Sequence, residues 1–263
     1  MNEREFIASL SEGLPEIAEH IEKLEGDAAA ASPRGVAAIR VISDDEAGKY
    51  LVLLDAVRCV RRPGDVKSEQ MRRAGDHLPK GIYARVAEMR PADFGEIVGY
   101  CNSLRRQYFL DGPNDVDWIF RNEIDAYREE RLYVDLIADD DGSIRWHTPE
   151  FWDDTTGMFS NDPSGAVRLV GALHRSGFDT EDGLRVIADV WEDFEPKLKT
   201  QTTKATHWQE VVPLIEETVR GIAEATGRVP NDDDLRQIFH RWSFPLWGAD
   251  LTMIKGGLKS GVF

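Results

Sequence analysis

The chain has 263 residues, of which 41% are hydrophobic and 30% charged, and its 48 acidic residues exceed its 32 basic ones to give a net charge of −16. These values are typical of a folded globular protein and exclude general disorder. The acidic balance argues against a broad surface for nucleic acid or anionic membranes. The acidic N-terminus and the absence of a long apolar segment predict a cytoplasmic protein with no membrane partner. Two cysteines exclude a disulfide framework and a zinc site built on cysteine.

Helical periodicity dominates the first half of the chain. Apolar residues recur at steps of three and four, and Gly26 and Pro63 mark where two of these patterns stop. Asp76 is placed to cap a later helix through its carboxylate. The predicted helices are Glu3–Leu24, Val36–Arg62, Asp76–Met89, Ala92–Tyr108 and Val116–Arg131.

The second half of the chain begins with a change of pattern. Apolar and polar residues alternate over 132–137, a segment rich in β-forming residues. An acidic turn follows over 139–142, and residues 143–146 could form a second strand that runs back along the first. We therefore expect one small β-hairpin. A segment rich in Gly, Pro, Asp and Thr over 151–163 is the candidate domain boundary. Amphipathic helices are then predicted over Ser164–Arg175, Thr180–Leu198, His207–Ala225 and Asp232–Phe239.

The fold class predicted from these elements is mainly α. We expect a helical domain over residues 1–155, including the hairpin, and a helical C-terminal region over 156–263. Motifs for nucleoside triphosphates, dinucleotides, serine hydrolysis and zinc proteolysis are absent from the sequence, so no cofactor and no metal are expected.

Two ionisable residues fall in an apolar line of the second predicted helix. Glu46 and Lys49 continue the steps of three and four that link Ile39, Ile42 and Leu53. A buried carboxylate without a partner costs several kcal/mol, so we expect Glu46 to pair with Lys49 or with a cation from a facing helix. Both a core ion pair that fixes helix register and a direct role in an active site fit this placement.

A locally basic stretch lies within the acidic chain. Between Arg58 and Arg90, nine basic residues stand against four acidic ones. Within it, Arg72 precedes His77 by five positions. Such a pair suits metal-independent RNA cleavage, because a histidine moves protons near neutral pH and an arginine stabilises charge on phosphate. An ordinary solvated helix start is the alternative interpretation.

Three segments in succession carry a family resemblance. Glu46-Ala47-Gly48-Lys49 is followed by His77-Leu78-Pro79-Lys80, and then by an Arg-rich segment from Arg128 that leads into Leu132-Tyr133-Val134-Asp135. In this order, over roughly residues 15–155, they resemble the AbiV family of bacterial abortive-infection proteins. That family belongs to the helical HEPN (higher eukaryote and prokaryote nucleotide-binding) superfamily.

The resemblance implies a helical bundle that protects against phage by arresting the infected cell. Many HEPN relatives are dimeric ribonucleases with an arginine and a histidine near the dimer interface, which assigns catalysis to Arg72 and His77 in this chain. Glu46, Lys49 and Lys80 would then support the site. We expect the helix of Glu46 and Lys49 to be central, and His77 and Lys80 to approach it from a neighbouring helix. The expected partners are RNA, a phage protein as trigger and a second copy of the chain, with the C-terminal region regulating activity. The alternative is a bundle without catalysis that arrests growth by binding a phage or translation component.

Overall fold

The computed structural model describes residues 2–91, 93–99, 128, 131–138, 144–147, 162–196 and 204–251. The mainly α class predicted from the sequence is confirmed. The first four helices are α1 (Glu3–Ala30), α2 (Pro33–Arg58), α3 (Gly64–Arg73) and α4 (His77–Met89), and residues 94–99 are also helical. The later helices are α5 (Gly165–Arg175), α6 (Glu181–Val190), α7 (Lys204–Thr226) and α8 (Asp232–Arg241).

Two short strands lie between these groups of helices. Strand β1 (Asp135–Ala138) pairs antiparallel with β2 (Ile144–His147), and Asp135 stands opposite His147. Strand β1 begins three residues later than the predicted start at 132, and β2 begins one residue later than the predicted start at 143. The predicted helices over 92–108 and 116–131 lie largely outside the described residues, as does the predicted boundary at 155.

Several helix ends differ from the predicted ones for local reasons. Helix α1 continues through Gly26 to Ala30, and α2 begins at Pro33, because Ser32 caps it and proline is tolerated in a first turn. The sequence pattern missed α3, since among its ten residues only Gln70 and Arg73 are buried and no apolar stripe marks it. Asp76 caps α4 as predicted, accepting a bond from the Leu78 N–H at 3.3 Å.

Helix α2 is the centre of the molecule. It packs against α1, α3, α4, α5 and α6. Every residue from Tyr50 to Arg58 is buried, which is the pattern of a helix surrounded by other elements rather than lying on a surface. Side chains from both sides of the predicted boundary, such as Leu54 and Leu173, share one hydrophobic core. Two of the C-terminal helices, α5 and α6, therefore pack onto the same central helix as the N-terminal ones, whereas α7 packs on α6 and α8 packs on α5 and α4.

A buried carboxylate connects four parts of this fold. Asp55 on α2 is 2% exposed and accepts hydrogen bonds from the Tyr83 hydroxyl on α4 and from the backbone N–H groups of Leu246 at 2.9 Å and Trp247 at 3.1 Å. Gln70 on α3 donates to it at 3.5 Å. Burial raises the pKa of Asp55, and the Arg58 guanidinium at 3.5 Å acts in the opposite direction. The Asp55 carboxylate thus joins α2, α3, α4 and the segment after α8.

Two buried arginines hold the same C-terminal segment. The Arg58 guanidinium lies between the Trp191 and Trp242 rings, 4.0 and 3.9 Å from their centroids, and donates to the Ser243 carbonyl at 3.1 Å. Arg73 donates to the carbonyls of Leu246 at 3.0 Å and Ala249 at 2.6 Å. Burial lowers the pKa of Arg58 to about 10, and the charge of Asp55 counteracts this. These bonds fix residues 243–249 against α2 and α3.

A histidine–aspartate pair closes the turn between α5 and α6. His174 Nδ1 lies 2.6 Å from the Asp179 carboxylate, which is 1% exposed. The hydrogen bond to Asp179 raises the pKa of His174 above its ordinary value of 6.5, although partial burial opposes the shift. The folded protein therefore binds a proton at His174 more tightly than the unfolded chain does.

This pair predicts a pH dependence of stability. A histidine whose pKa is raised in the folded state stabilises it fully below the unfolded pKa, and this stabilisation is lost as pH rises through the folded pKa. We expect the unfolding free energy of the wild type to fall relative to that of His174→Gln as pH rises from below 6.5 through the raised value. Urea unfolding across this range measures the difference. Parallel curves for the two proteins would contradict the assignment.

Candidate functional site

A glycine sets the distance between α2 and α4. A Cβ atom built on Gly48 would lie 2.1 Å from the carbonyl oxygen of Lys80, far inside any real contact. Only glycine lets the two backbones approach this closely at the crossing point. The side chains around the crossing, Asp45 on α2 and His77 with Lys80 on α4, are consequently brought together.

Three ionisable side chains meet at this crossing. His77 Nδ1 lies 2.6 Å from Asp45 Oδ2, and Lys80 Nζ lies 3.3 Å from the same oxygen. The His77 side chain is 54% exposed, whereas those of Asp45 and Lys80 are 20% and 10% exposed. One carboxylate thus holds an exposed imidazole on its outer side and a buried ammonium on its inner side.

This arrangement orients His77 for proton transfer. A carboxylate only accepts hydrogen bonds, so Nδ1 carries the proton and Nε2 of the neutral ring carries the lone pair. An imidazole fixed in one tautomer and open to solvent can take up and return a proton at Nε2. The group formed by Asp45, His77 and Lys80 is therefore the candidate site.

The expected contact of α4 with the Glu46 helix is present, but through a different carboxylate. Glu46 pairs with Lys49 at 3.4 Å, as the sequence predicts, yet their side chains are 23% and 36% exposed and lie at the edge of the core. The inward line drawn through Ile42 is wrong, because Ile42 is 46% exposed. The buried face runs through Ala47 and Gly48, small residues that a count of large apolar side chains overlooks.

Sequence reasoning missed Asp45. Its one available signal is its position three residues before Gly48 on the same helix, which has meaning only once the crossing with α4 is known. Lys80, which the sequence resemblance did indicate, lies with its Nζ 3.3 Å from Asp45 Oδ2, and its supporting role stays a prediction.

Arg72 has a partner of its own. Its guanidinium makes two hydrogen bonds to Glu69, at 2.9 and 2.8 Å, and the side chain is 65% exposed. These bonds hold the pKa of Glu69 below its ordinary value. The structure thus joins His77 to Lys80 through Asp45 and places Arg72 at the end of the preceding helix, paired with a different carboxylate.

The basic stretch does not form one continuous surface. Arg58 and Arg73 are buried and bound to backbone carbonyls. Arg61 pairs with three acidic residues, Glu3, Asp189 and Glu192, at 3.0, 2.6 and 2.7 Å. Arg62 pairs with Glu195 at 2.5 Å. With Arg72 paired to Glu69 and Lys80 to Asp45, six of the nine bases are engaged within the protein. The positive charge counted along the sequence is therefore largely neutralised in space by acidic residues from outside the stretch.

No family model matches the chain, and no match was found among curated proteins or solved structures. Within the described residues, no group of three or more His, Cys, Asp or Glu side chains is arranged to hold a metal ion. None of the helices in this part of the chain combines the length and the apolar character needed to cross a membrane.

The crossing at Gly48 predicts a matched pair of glycine effects. Gly48→Ala forces α2 and α4 apart and should lower the unfolding free energy by about 1–3 kcal/mol, as overpacking does. Gly26→Ala is the control, because nothing lies within 4 Å of a Cβ at that helical position. It should stabilise the protein by about 0.5–1 kcal/mol. Chemical denaturation measures both, and a Gly48→Ala protein as stable as the wild type would contradict the close crossing.

Proposed function

We propose that this protein acts in phage defence as an abortive-infection protein, and that it is a HEPN-type, metal-independent endoribonuclease in which His77 transfers protons. The observation that carries the proposal is the exposed His77 imidazole oriented by Asp45 at 2.6 Å. The family resemblance of the sequence motifs supports the substrate class and the biological role. Asp45 and Lys80 act as positioning residues, since they reach the substrate only through His77.

The proposed reaction needs proton transfer at two oxygens. The 2′-hydroxyl of RNA loses its proton and attacks the neighbouring phosphorus, the bond from phosphorus to the 5′-oxygen breaks, and that oxygen gains a proton. The products are a 2′,3′-cyclic phosphate and a 5′-hydroxyl. His77 Nε2 serves as base or acid in these steps. Arg72, which is exposed near the end of α3 and five residues before His77, would exchange Glu69 for the phosphate and stabilise its charge.

A second copy of the chain would supply the other proton carrier. One His77 cannot serve both oxygens in the same step, whereas a twofold axis brings two copies of the site together. Ile42 supports this proposal, because it is an apolar side chain, 46% exposed, located one helical turn before Asp45. We propose that the α2 surface around Ile42 forms the centre of a homodimer interface.

The dimer predicts a specific effect of charge at Ile42. The wild type should be a dimer by light scattering at tens of micromolar, which is on the order of the concentration at which complexes with small interfaces form. Ile42→Glu places a charge at the interface and should give monomer. Val229→Glu is the matched control, since Val229 is 81% exposed and lies after α7, so it should remain dimeric. A monomeric wild type would contradict the proposed interface.

One observation favours a second candidate function. Five arginines of the basic stretch are buried or paired with acidic residues, and the chain carries a net charge of −16, so the attraction for an RNA backbone is limited. Under this alternative the protein arrests growth by binding a phage or translation component. The Asp45–His77 and Glu46–Lys49 pairs would then serve helix packing alone.

His77→Ala separates the two functions. Its side chain is 54% exposed, so the substitution should change the unfolding free energy by no more than about 1 kcal/mol. Loss of a general acid or base lowers a rate by about 10²–10⁴. We therefore expect RNA cleavage and growth arrest to be abolished at nearly unchanged melting temperature.

The matched control is His20→Ala, an exposed histidine on α1, which should retain both activities. RNA cleavage by the purified proteins and phage plaquing on cells that express them are the two measurements. Full antiphage activity of His77→Ala, together with no cleavage by the wild type, would eliminate the ribonuclease and leave the binding function.

A further inference from the structure

A second concave site lies at the opposite end of α4 from His77. A concavity of about 500 Å³, broadly open to solvent, lies between the end of α4, α7 and α8, and it is lined by Met89, Arg90, Val212, Phe239 and His240. Its volume falls within the range of small-molecule sites. Helix α4 has 13 residues, so the cavity is about 20 Å along the helix from the candidate site.

Arg90 is held at this cavity in an uncommon backbone conformation. Its φ of 53° and ψ of 57° place it in the left-handed region, and it is the one non-glycine residue with positive φ in the described part of the chain. Its Nη1 donates to His240 Nδ1 at 3.3 Å. Because a guanidinium has no acceptor, His240 Nδ1 accepts and the proton of the neutral ring is on Nε2. Both residues therefore bring N–H donors to the site.

More positive charge lies behind these two residues. Burial lowers the pKa of Arg241, and the neighbouring charges of Arg168 and Arg90 lower it further, whereas Glu88 acts in the opposite direction. Arg241 is held by Glu88 at 3.4 Å and by the Ala87 carbonyl at 3.2 Å. Arg168 Nε is buried without a hydrogen-bond partner. The charges of Arg90 and Arg168 thus both act on Arg241, so three arginines lie close together at this end of α4.

We propose that this cavity binds a phosphomonoester that carries an apolar group. Arg90 and the Nε2–H of His240 bind the phosphate oxygens, and Met89, Val212 and Phe239 contact the apolar part. A phosphomonoester carries close to two negative charges at neutral pH, so it is attracted more strongly by these arginines than a carboxylate, which carries one. The apolar wall distinguishes such a ligand from free phosphate. The site is independent of the proposed ribonuclease function.

Calorimetric titration of the full chain with three probes tests the ligand class. We expect phenyl phosphate to bind saturably with one site per chain, and inorganic phosphate and benzoate each to bind at least about tenfold more weakly, since each lacks one of the two recognised parts. If inorganic phosphate bound as tightly as phenyl phosphate, the proposed recognition of an apolar group would be wrong. If benzoate bound more tightly than phenyl phosphate, the proposed recognition of phosphate would be wrong. No binding of phenyl phosphate would overturn the site.

Arg90→Gly tests the location without endangering the fold. Glycine adopts a left-handed conformation freely, so this variant should melt at or near the wild-type temperature. It should bind phenyl phosphate about tenfold or more weakly, because a charge-assisted contact is lost. Arg236→Ala is the matched control on α8, as Arg236 is exposed and pairs with Asp233 at 3.1 Å. Unchanged binding by Arg90→Gly, or equal loss in both variants, would overturn the proposed location.

Discussion

The carboxylate of Asp55 is the interaction on which the arrangement of the other helices depends. A buried charge is costly unless its hydrogen-bonding capacity is filled. Asp55 meets this condition with donors from Tyr83 on α4, Gln70 on α3 and the backbone of Leu246 and Trp247. None of these donors is on its own helix, so the requirement of one side chain fixes three other elements around α2. The C-terminal segment is thereby part of the core.

The candidate site follows from that packing. Helix α4 is fixed on α2 at two points, by the Tyr83 hydroxyl bonded to Asp55 and by the close backbone contact of Gly48 with Lys80. The contact at Lys80 restrains the first turn of α4, and the cap at Asp76 determines that the helix begins at His77. The pairing of His77 with Asp45 is therefore a consequence of helix packing.

The sequence predicts the helices well where an apolar stripe or a cap marks them, and the site only in part. The start of α4 at Asp76 could be predicted, since a helix cap is a local signal. The approach of His77 and Lys80 to the Glu46 helix is expected from an inward placement of Glu46, and the structure makes this contact through Asp45 instead. Asp45 could not be predicted, because helix–helix crossing points are set by small residues. Counting charge along the chain wrongly suggests a continuous basic surface. The guanidinium groups of Arg58 and Arg73 instead donate to backbone carbonyls about 170–185 residues away in the sequence. The contact of Arg90 with His240, 150 residues apart, has no local signal either.

The tautomer of His77 tests most directly the claim that Asp45 orients this residue for proton transfer. Nitrogen-15 NMR of histidine-labelled protein at mildly alkaline pH, with the signals assigned by their loss in His77→Ala, reports which ring nitrogen carries the proton. We expect the Nδ1–H form to predominate in the wild type and the Nε2–H form to replace it in Asp45→Ala. A wild-type His77 in the Nε2–H form, or one unaffected by Asp45→Ala, would contradict the account.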